Sequence, residues 1–405
     1  MNIYAKIIVE KQKRNLNAAT EYLYIKDMIY LNTDKKFMER DEAATYKLRE
    51  LYDKFGYKKF KMSKFEAYDL YLENKSFLAS ENIITFTDMN GRLLALKPDV
   101  TLSIIKNTRE GLKEPLKVYY NENVYRSSKG EHEYKEIMQV GLECIGNVDM
   151  YQMCEVITLA KKSLETISEN YIMDISHMGI ISGLFEGEAI SAELKEKLID
   201  CIRRKNAHEI ISECEKAGAS REFADTAAKI AMLYGPFEQT LEEAKKLIRN
   251  EEMQQAADEL EQIWEFLKAT DECANINLDF SIINDMNYYN GIIFSGFVDG
   301  IPCSVLSGGR YDNLLRKFGK NMSAIGFAVY MNLIERYGKN DDECDVDILL
   351  TYSENSNPAE LMRAVKMLGS GGKSIRVQKE NCGGIRYKQQ LHFNERGLEI
   401  IETND

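Results

Sequence analysis

The chain has 405 residues, which is long enough for two or three domains of ordinary size. Hydrophobic residues make up 44% and charged residues 29%, the balance of a soluble globular protein. Lysine and arginine number 53 against 65 aspartates and glutamates, so the net charge is −12, and there is no long basic run. Phosphate neutralisation needs clustered lysine and arginine, so this balance disfavours a general nucleic-acid-binding protein.

The eight cysteines are scattered and no C-x-x-C pair occurs, which argues against a zinc ribbon or a disulfide framework. His132, His177, His208 and His392 are equally dispersed, so no metal site is expected. No stretch has the ~20 continuous apolar residues of a membrane span, and the N-terminus lacks the features of a signal peptide. We therefore expect a cytoplasmic protein that needs no metal or cofactor and has no membrane partner.

The apolar pattern of residues 28–170 alternates between helical and strand-like spacing. From Glu39 to Phe55 the apolar side chains recur at helical spacing, and Gly56 is the expected end of the helix. The turn dipeptide Asn90-Gly91 joins two strand-like runs. The elements predicted after the first helix are strands at 59–62, 83–88, 93–96, 117–125 and 137–145, a helix ending at Lys106 and a long helix over 150–168.

Residues 186–268 differ from the rest because glutamate, lysine and alanine dominate and the apolar spacing is helical throughout. We interpret them as an inserted helical subdomain, most simply a solvated bundle. The elements predicted after it are strands at 278–283, 291–298 and 302–306, a glycine-rich turn over 307–310 that leads into helical residues, and a tail with a strand at 346–351, a helix at 358–368 and a strand at 374–377. The segment 368–374 resembles a phosphate loop, but it precedes a strand, so we interpret it as a helix-ending turn.

These elements predict an α+β architecture, with a mostly antiparallel sheet flanked by helices and interrupted by a helical insertion. The predicted division is an N-terminal extension of unassigned role at 1–27, a core at 28–185 and 269–340, the inserted subdomain at 186–268 and a small C-terminal α/β domain at 341–405.

A set of polar residues falls on one side of the predicted strand 137–145. Side chains alternate along a strand, so Gln139, Gly141 and Glu143 point to one face. An amide, a bare backbone position and a carboxylate form a polar recess suited to an ammonium or imidazole group. The alternative is a sheet face that is simply solvated.

Two further segments have residue types suited to a small ligand. Tyr288-Tyr289 precede Asn290-Gly291 and offer aromatic walls with hydroxyl groups, although paired tyrosines usually bury their rings and bond through their hydroxyls. Gly308-Gly309, just before Arg310, let a ligand approach the backbone closely, although the same residues also suit an ordinary turn.

The order of these segments is more specific than any one of them. The segments are Lys97-Pro98-Asp99-Val100-Thr101, the strand pair around Arg126, Tyr288-Tyr289-Asn290-Gly291 and Gly308-Gly309-Arg310-Tyr311-Asp312. In this order they resemble the histidyl-tRNA synthetase family of class II aminoacyl-tRNA synthetases, over roughly Phe37 to Leu333. Phe65-Glu66 fits the first class II motif, except that Ser63 stands at its usual proline. The resemblance implies a class II core that forms a homodimer.

The resemblance also implies a site for a histidine-like ligand. In the synthetases the matching positions surround histidine, and carboxylates receive its ammonium and imidazole groups. The residues implied here are Asp99, Thr101, Arg126, Gln139, Glu143, Tyr288, Tyr289 and Arg310. Asp99 stands where the synthetases usually carry glutamate, a change that resembles the regulatory subunits of ATP phosphoribosyltransferase.

The positions that serve ATP in the synthetases differ in this chain. Adenylate formation needs fixed cations around a pentavalent phosphorus centre that carries several negative charges. The resemblance aligns Glu133, Asn284 and Leu333 with arginines of the synthetases. Each such loss costs about 3 kcal/mol of transition-state stabilisation, so aminoacyl-adenylate chemistry is not expected and no catalytic residue is predicted.

The tail after Asp345 is smaller than the anticodon-binding domains of the synthetases. Together with the retained pocket and the missing arginines, it resembles the regulatory-subunit family. That resemblance implies a non-catalytic chain that pairs with a short-form catalytic subunit, takes histidine as its effector and binds no tRNA, in the first step of histidine biosynthesis. The alternatives are a divergent but active histidyl-tRNA synthetase and a paralogue that serves another assembly. An effector site at the subunit interface is a further alternative.

Overall fold

The computed structural model describes residues 40–73, 83–127, 133–283, 288–337, 344–381 and 383–404. The chain divides between Tyr337 and Gly338 into two compact units. The predicted extension at 1–27 lies outside the described residues, as do His132 and Asn284. None of the described helices is long and apolar enough to cross a membrane.

The larger unit contains a large sheet and a small one. Its described strands are β1 (Lys58–Lys59), β2 (Phe65–Ala67), β3 (Thr85–Thr87), β4 (Leu93–Leu96), β5 (Leu116–Ser127), β6 (Tyr134–Gly146), β7 (Tyr171–His177), β8 (Tyr234–Pro236), β9 (Ile276–Asp279), β10 (Ile292–Val298), β11 (Leu306–Arg310) and β12 (Ser323–Tyr330). The nine-stranded sheet has the order β1-β5-β6-β12-β11-β10-β7-β9-β8, and β2-β4-β3 form the small sheet. Only the β1–β5 and β7–β9 pairs of the large sheet are parallel among the described strands, so the sheet is mostly antiparallel, as predicted.

Helices flank the large sheet and make up most of the segment 186–268, but that segment is not helical throughout as predicted, because it also contributes strand β8 to the sheet. The described helices of this unit are α1 (Arg40–Lys54), α2 (Tyr68–Leu72), α3 (Thr101–Asn107), α4 (Met150–Ile167), α5 (Met178–Phe185), α6 (Ala192–Arg203), α7 (Ala207–Ala217), α8 (Arg221–Met232), α9 (Phe237–Lys245), α10 (Glu251–Ala269), α11 (Asp312–Lys317) and α12 (Met331–Tyr337). Ser191, Asn206, Ser220 and Asn250 cap four of them, because each side chain accepts the backbone N–H three residues further on.

Each face of the large sheet carries its own apolar cluster. Helices α1 and α4 cover one face, where Tyr52, Leu142 and Phe327 are buried. The other face carries a second cluster that includes Tyr120 and Leu102. Because side chains alternate along a strand, β6 directs Leu142 to the first face and Glu143 to the second. The fold therefore buries a carboxyl group inside the second cluster.

The prediction near residue 310 is partly wrong. The expected turn over 307–310 is strand β11, which runs from Leu306 to Arg310. The helical residues expected after it are present as α11, but strand β12 follows that helix. The glycines misled the prediction because they usually mark turns. In the structure Gly308 serves packing, since a Cβ there would lie 2.4 Å from the Gly326 carbonyl oxygen and from Phe327 Cβ.

The C-terminal unit is a four-stranded sheet with one described helix. Its elements are β13 (Val346–Tyr352), α13 (Pro358–Gly369), β14 (Ile375–Gln378), β15 (Tyr387–Asn394) and β16 (Gly397–Thr403), and the strand order is β14-β13-β15-β16. The predicted strand, helix and strand are present, and α13 ends where the false phosphate loop begins. Strands β15 and β16 were not predicted.

Candidate functional site

A buried carboxyl group, Glu143, is the centre of the candidate site. Its side chain lies on β6 with only 2% of its surface exposed. Thr101 Oγ1 donates to its Oε1 at 2.8 Å, and the Tyr311 hydroxyl donates to its Oε2 at 2.6 Å. Burial raises the pKa of Glu143 to about 8, and the nearby charge of Asp99 adds to the shift, although the two hydroxyl hydrogen bonds oppose it. Without a ligand, the group therefore carries a proton near neutral pH.

Gly326 provides the space that Glu143 occupies. The two residues face each other across the β6–β12 pair. A Cβ built on Gly326 would lie 1.7 Å from Glu143 Oε2, so no other residue fits there without displacing the carboxyl group. Gly141, two residues before Glu143 on β6, likewise makes room for the Tyr120 ring, because a Cβ at Gly141 would lie 2.5 Å from the Tyr120 hydroxyl oxygen.

Asp99 and Arg126 form an ion pair beside Glu143. Arg126 Nη2 lies 3.5 Å from Asp99 Oδ2, and Arg126 Nε donates to the Pro98 carbonyl at 2.6 Å. The Leu102 amide donates to Asp99 Oδ1 at 2.9 Å, so the carboxylate also caps the start of α3. Burial raises the pKa of Asp99, while the Arg126 charge and the amide hydrogen bonds act to lower it. Together with Glu143, the pair brings one cation and two carboxyl groups into a region where little of each side chain is exposed.

Tyrosine rings pack beside these groups. The Tyr288 and Tyr289 centroids are 4.6 Å apart, and the Tyr288 and Tyr311 centroids are 5.8 Å apart. Burial and the neighbouring carboxyl groups raise the pKa of Tyr120, Tyr288 and Tyr311 well above the usual value. Their hydroxyl groups therefore stay protonated and act as hydrogen-bond donors to an anionic or carbonyl oxygen.

Gln139 lies two register positions from Gly141 on the same face of β6. It is 3% exposed and faces Tyr330 across the β6–β12 pair. Burial raises the pKa of Tyr330, although the charge of Arg126 acts to lower it. Seven of the eight predicted site residues therefore lie in one region, which we call the carboxyl site. They are Asp99, Thr101, Arg126, Gln139, Glu143, Tyr288 and Tyr289.

Arg310 is the predicted site residue that the structure does not bring into the carboxyl site. Gly309 pairs with Gly326, which in turn pairs with Glu143. Arg310 is the next residue after Gly309 and pairs with Ile325 of β12. Alternation therefore sends its side chain to the other face of the sheet, where Arg310 Nη1 lies 3.7 Å from Met153 Sδ. Its ion partners are Asp312 at 2.9 Å and Glu259 at 3.7 Å.

The sequence-based prediction missed Tyr311 and Tyr120 as site residues. Tyr311 follows Arg310 directly, and the same alternation that removes Arg310 from the site brings Tyr311 to it. Tyr120 pairs with Gly141 across the β5–β6 hairpin. A tyrosine opposite a glycine on the ligand-facing side of a strand was the signal that the sequence offered.

The positions aligned with synthetase arginines offer no cation where they are described. Leu333 lies on α12 and packs against the apolar cluster of the first face. Glu133 is exposed at the start of β6. Among the described residues, no group of three or more histidine, cysteine, aspartate or glutamate side chains could hold a metal ion. The carboxyl site thus contains two carboxyl groups, one guanidinium group and several tyrosine hydroxyls.

Comparison with known proteins gives the same fold and a narrower family. A family model described as histidyl-tRNA synthetase matches residues 32–334. The ATP phosphoribosyltransferase regulatory subunit of Thermoanaerobacter sp. (strain X514) is 31% identical over 395 residues, which cover 95% of this chain and 100% of that protein. The chain belongs to the family of ATP phosphoribosyltransferase regulatory subunits.

Solved structures of the family share its architecture. An ATP phosphoribosyltransferase regulatory subunit/histidyl-tRNA synthetase from Bacillus halodurans C superposes with a TM-score of 0.67 at 23% identity, covering 87% of this chain and 93% of that one. A chain of the ATP phosphoribosyl transferase (HisG:HisZ) complex from Thermotoga maritima has a TM-score of 0.57 at 20% identity, covering 71% of this chain and 96% of that one. The predicted class II synthetase-like α+β fold is therefore confirmed.

Proposed function

We propose that this chain is a non-catalytic regulatory subunit of ATP phosphoribosyltransferase, acting in the cytoplasm in the first step of histidine biosynthesis. It pairs with a short-form catalytic subunit, which it activates, and it makes that activity sensitive to histidine. The proposal is supported by the 31% identity to a regulatory subunit, which extends over the whole length of that protein and 95% of this chain. The HisG:HisZ complex of Thermotoga maritima supports the assembly with a catalytic chain.

The observation that carries the histidine proposal is the buried Glu143, which accepts two hydroxyl hydrogen bonds and forms no ion pair with any of the described residues. A histidine molecule offers an imidazole or ammonium group to this carboxyl group. Its α-carboxylate can compete with Asp99 for Arg126, which leaves Asp99 free for the second cationic group. The residues proposed for the ligand are Asp99, Thr101, Arg126, Gln139, Glu143, Tyr288, Tyr289 and Tyr311.

We propose that the same features exclude a synthetase reaction and tRNA binding. Leu333 packs in an apolar cluster, so that position has no charge to stabilise a pentavalent phosphorus centre. The net charge of −12 opposes association with a nucleic-acid backbone. Regulation then consists of one ligand that binds one state of the assembly better than another.

We also propose that the class II core forms a homodimer. Phe65 is 48% exposed and Phe86 is 37% exposed on the small sheet, and their ring centroids are 5.1 Å apart. Exposed aromatic side chains in contact with each other are typical of surfaces that another protein covers. The proposed domain division keeps 28–185 and 269–340 as the core, with 186–268 and 341–405 as separate parts.

The test is a reconstitution with the short catalytic subunit from the same organism. Phosphoribosyl-ATP formation is followed for each chain alone, for the mixture, and for the mixture with histidine. We expect activity only in the mixture and suppression by histidine. A mixture that is no more active than the catalytic subunit alone would contradict the proposal. Histidine-dependent ATP–pyrophosphate exchange by this chain alone would favour a synthetase instead.

A further inference from the structure

The segment Arg310-Tyr311-Asp312 contacts both sides of the large sheet. On one side, the Tyr311 hydroxyl donates to Glu143 Oε2 at 2.6 Å. On the other side, Arg310 Nη1 lies 3.7 Å from Oε2 of Glu259, which belongs to α10. Three consecutive residues therefore connect the carboxyl site with the last helix of the segment 186–268.

Asp312 makes this connection stiff. Its carboxylate accepts from Arg310 Nε at 2.9 Å and from the Ala324 amide at 3.0 Å, and only 4% of its surface is exposed. The Ala324 carbonyl in turn accepts the Tyr311 amide at 2.9 Å. A displacement of the Arg310 guanidinium is therefore passed to the backbone that carries Tyr311.

Glu259 is itself held in a defined orientation. His177 Nδ1 accepts the Gly179 amide at 3.0 Å, so its Nε2–H points at Glu259 Oε1, 3.1 Å away. Burial acts to raise the pKa of Glu259, but the His177 hydrogen bond and the Arg310 charge outweigh it, and the pKa lies below its usual range. Glu259 is therefore ionised and attracts Arg310.

Helix α10 has little freedom to move Glu259. A Cβ on Gly183 of α5 would lie 2.6 Å from Met253 Cγ, so the two helices are in close contact. Asn250 Nδ2 also donates to the Gly183 carbonyl at 2.7 Å. Close-packed interfaces of this kind transmit displacements rather than absorb them.

We propose that Glu259 is a positioning residue for the carboxyl site, which acts through Arg310 to hold the Tyr311 hydroxyl on Glu143. Helix α10 is then part of the structure that sets ligand affinity, although it lies on the other side of the sheet. The inference rests on the proposed function only for the identity of the ligand, histidine.

The test compares Glu259→Gln with Glu261→Gln in the full chain. Glu259→Gln keeps an acceptor for His177 but removes the charge that holds Arg310. Glu261 lies on the same helix, 49% exposed, and pairs with Lys245, so its variant is the matched control. We expect Glu259→Gln to weaken histidine binding about 2- to 30-fold, the usual range for coupling through a packed network, with no change for Glu261→Gln.

A second readout needs no ligand. The melting temperature of the free chain is measured between pH 5 and 9, in parallel with Glu143→Gln to identify the part that depends on Glu143. A weaker Tyr311 hydrogen bond stabilises the Glu143 carboxylate less, so the pKa of Glu143 rises further in Glu259→Gln. The pH at which the melting temperature stops depending on Glu143 is therefore expected to be higher in this variant than in the wild type. A purely structural role lowers the melting temperature at every pH without moving the profile.

The outcomes separate this inference from the proposed function. If histidine does not bind the wild type but the pH profile moves in Glu259→Gln, the ligand proposal fails and the positioning role stands. If neither the affinity nor the profile moves, the positioning role is wrong. Should Glu259→Gln not fold, Arg310→Lys is measured instead. It keeps the charge but cannot bridge Glu259 and Asp312 together, so it is expected to give the same shifts, and an unchanged profile overturns the inference.

Discussion

Two glutamates on opposite sides of the same sheet have opposite pKa shifts. Burial raises the pKa of Glu143 to about 8, with a further contribution from Asp99, and the two hydroxyl donors do not offset the rise. Glu259 is surrounded by His177 and Arg310, and its pKa falls below the usual range despite burial. The protein pairs Glu259 with its own guanidinium and imidazole N–H groups, whereas Glu143 has only hydroxyl donors. The difference separates an acid with a structural role from the acid that we propose for ligand binding.

The largest expected effect comes from Glu143→Gln. The variant keeps the size of the side chain but removes the charge that a cationic ligand group would neutralise. Loss of one partner of a buried charge pair costs about 2–5 kcal/mol, so we expect histidine affinity to fall by about 30-fold or more. Isothermal titration calorimetry with histidine measures this affinity for the wild type and the variant. An affinity within a factor of two of the wild type would mean that Glu143 does not hold the ligand.

The next effect comes from Gly326→Ala, which tests the space around Glu143 without changing any charge. The new methyl group would lie 1.7 Å from Glu143 Oε2, so the carboxyl group must leave its position. Overpacking of this kind costs about 1–3 kcal/mol, and we expect both a lower unfolding free energy and weaker histidine binding. Gly371→Ala is the control, because a Cβ at Gly371 has nothing within 4 Å. Equal effects of the two substitutions would argue against a shaped site.

Asp99→Asn is expected to have a smaller effect on affinity. It removes the ion partner of Arg126 but leaves an oxygen for the Leu102 amide, which now donates at 2.9 Å. Arg126 becomes more available to the ligand carboxylate while the ammonium group loses a partner, so the two changes partly cancel. We expect a loss of about tenfold, or about 1.4 kcal/mol, by competition binding. A gain in affinity would show that Asp99 only blocks Arg126.

The smallest effect is on the pH dependence of stability, and it has opposite signs for the two glutamates. The folded chain binds a proton at Glu143 more tightly than the unfolded chain, so stability is highest below the unfolded pKa and declines as the pH rises towards about 8. Glu259 adds stability above the unfolded pKa that is lost as the pH falls through its lowered folded pKa. Thermal unfolding of Glu143→Gln is expected to flatten the alkaline side, and that of Glu259→Gln the acidic side. If both variants gave the same dependence of stability on pH, the two glutamates would not have the opposite pKa shifts described above.

The period-two rule was enough to predict part of the site. Gln139, Gly141 and Glu143 share a face of β6, as their spacing indicated, and Gln139 and Glu143 are buried there. Arg310 was included in the site because of the resemblance, and the rule was not applied to it because its glycine neighbours suggested a turn. Once Leu306–Arg310 is known to be a strand, alternation places Arg310 away from Glu143.

Other parts of the structure depend on contacts that a single sequence does not encode locally. Glu259 lies in a helical segment with many exposed glutamates, and nothing in its neighbourhood separates it from Glu261. Only the docking of α10 against α5 brings it to Arg310 and His177. Strands β15 and β16 were missed because Lys388, Gln389 and Gln390 hide the apolar alternation of the first strand, and the pairing partner of that strand is central strand β13. The helices predicted at 39–55, 150–168 and 358–368, in contrast, agree with α1, α4 and α13 to within one residue.

The proton on Glu143 has a calorimetric consequence. A cationic group that takes its place at neutral pH sends the proton to the buffer, so the observed binding enthalpy includes the ionisation enthalpy of that buffer. Titrations in phosphate and in Tris are therefore expected to give different apparent enthalpies at one common affinity. The slope of observed enthalpy against buffer ionisation enthalpy counts the protons released, and Glu143→Gln is expected to remove the release that comes from this carboxyl group.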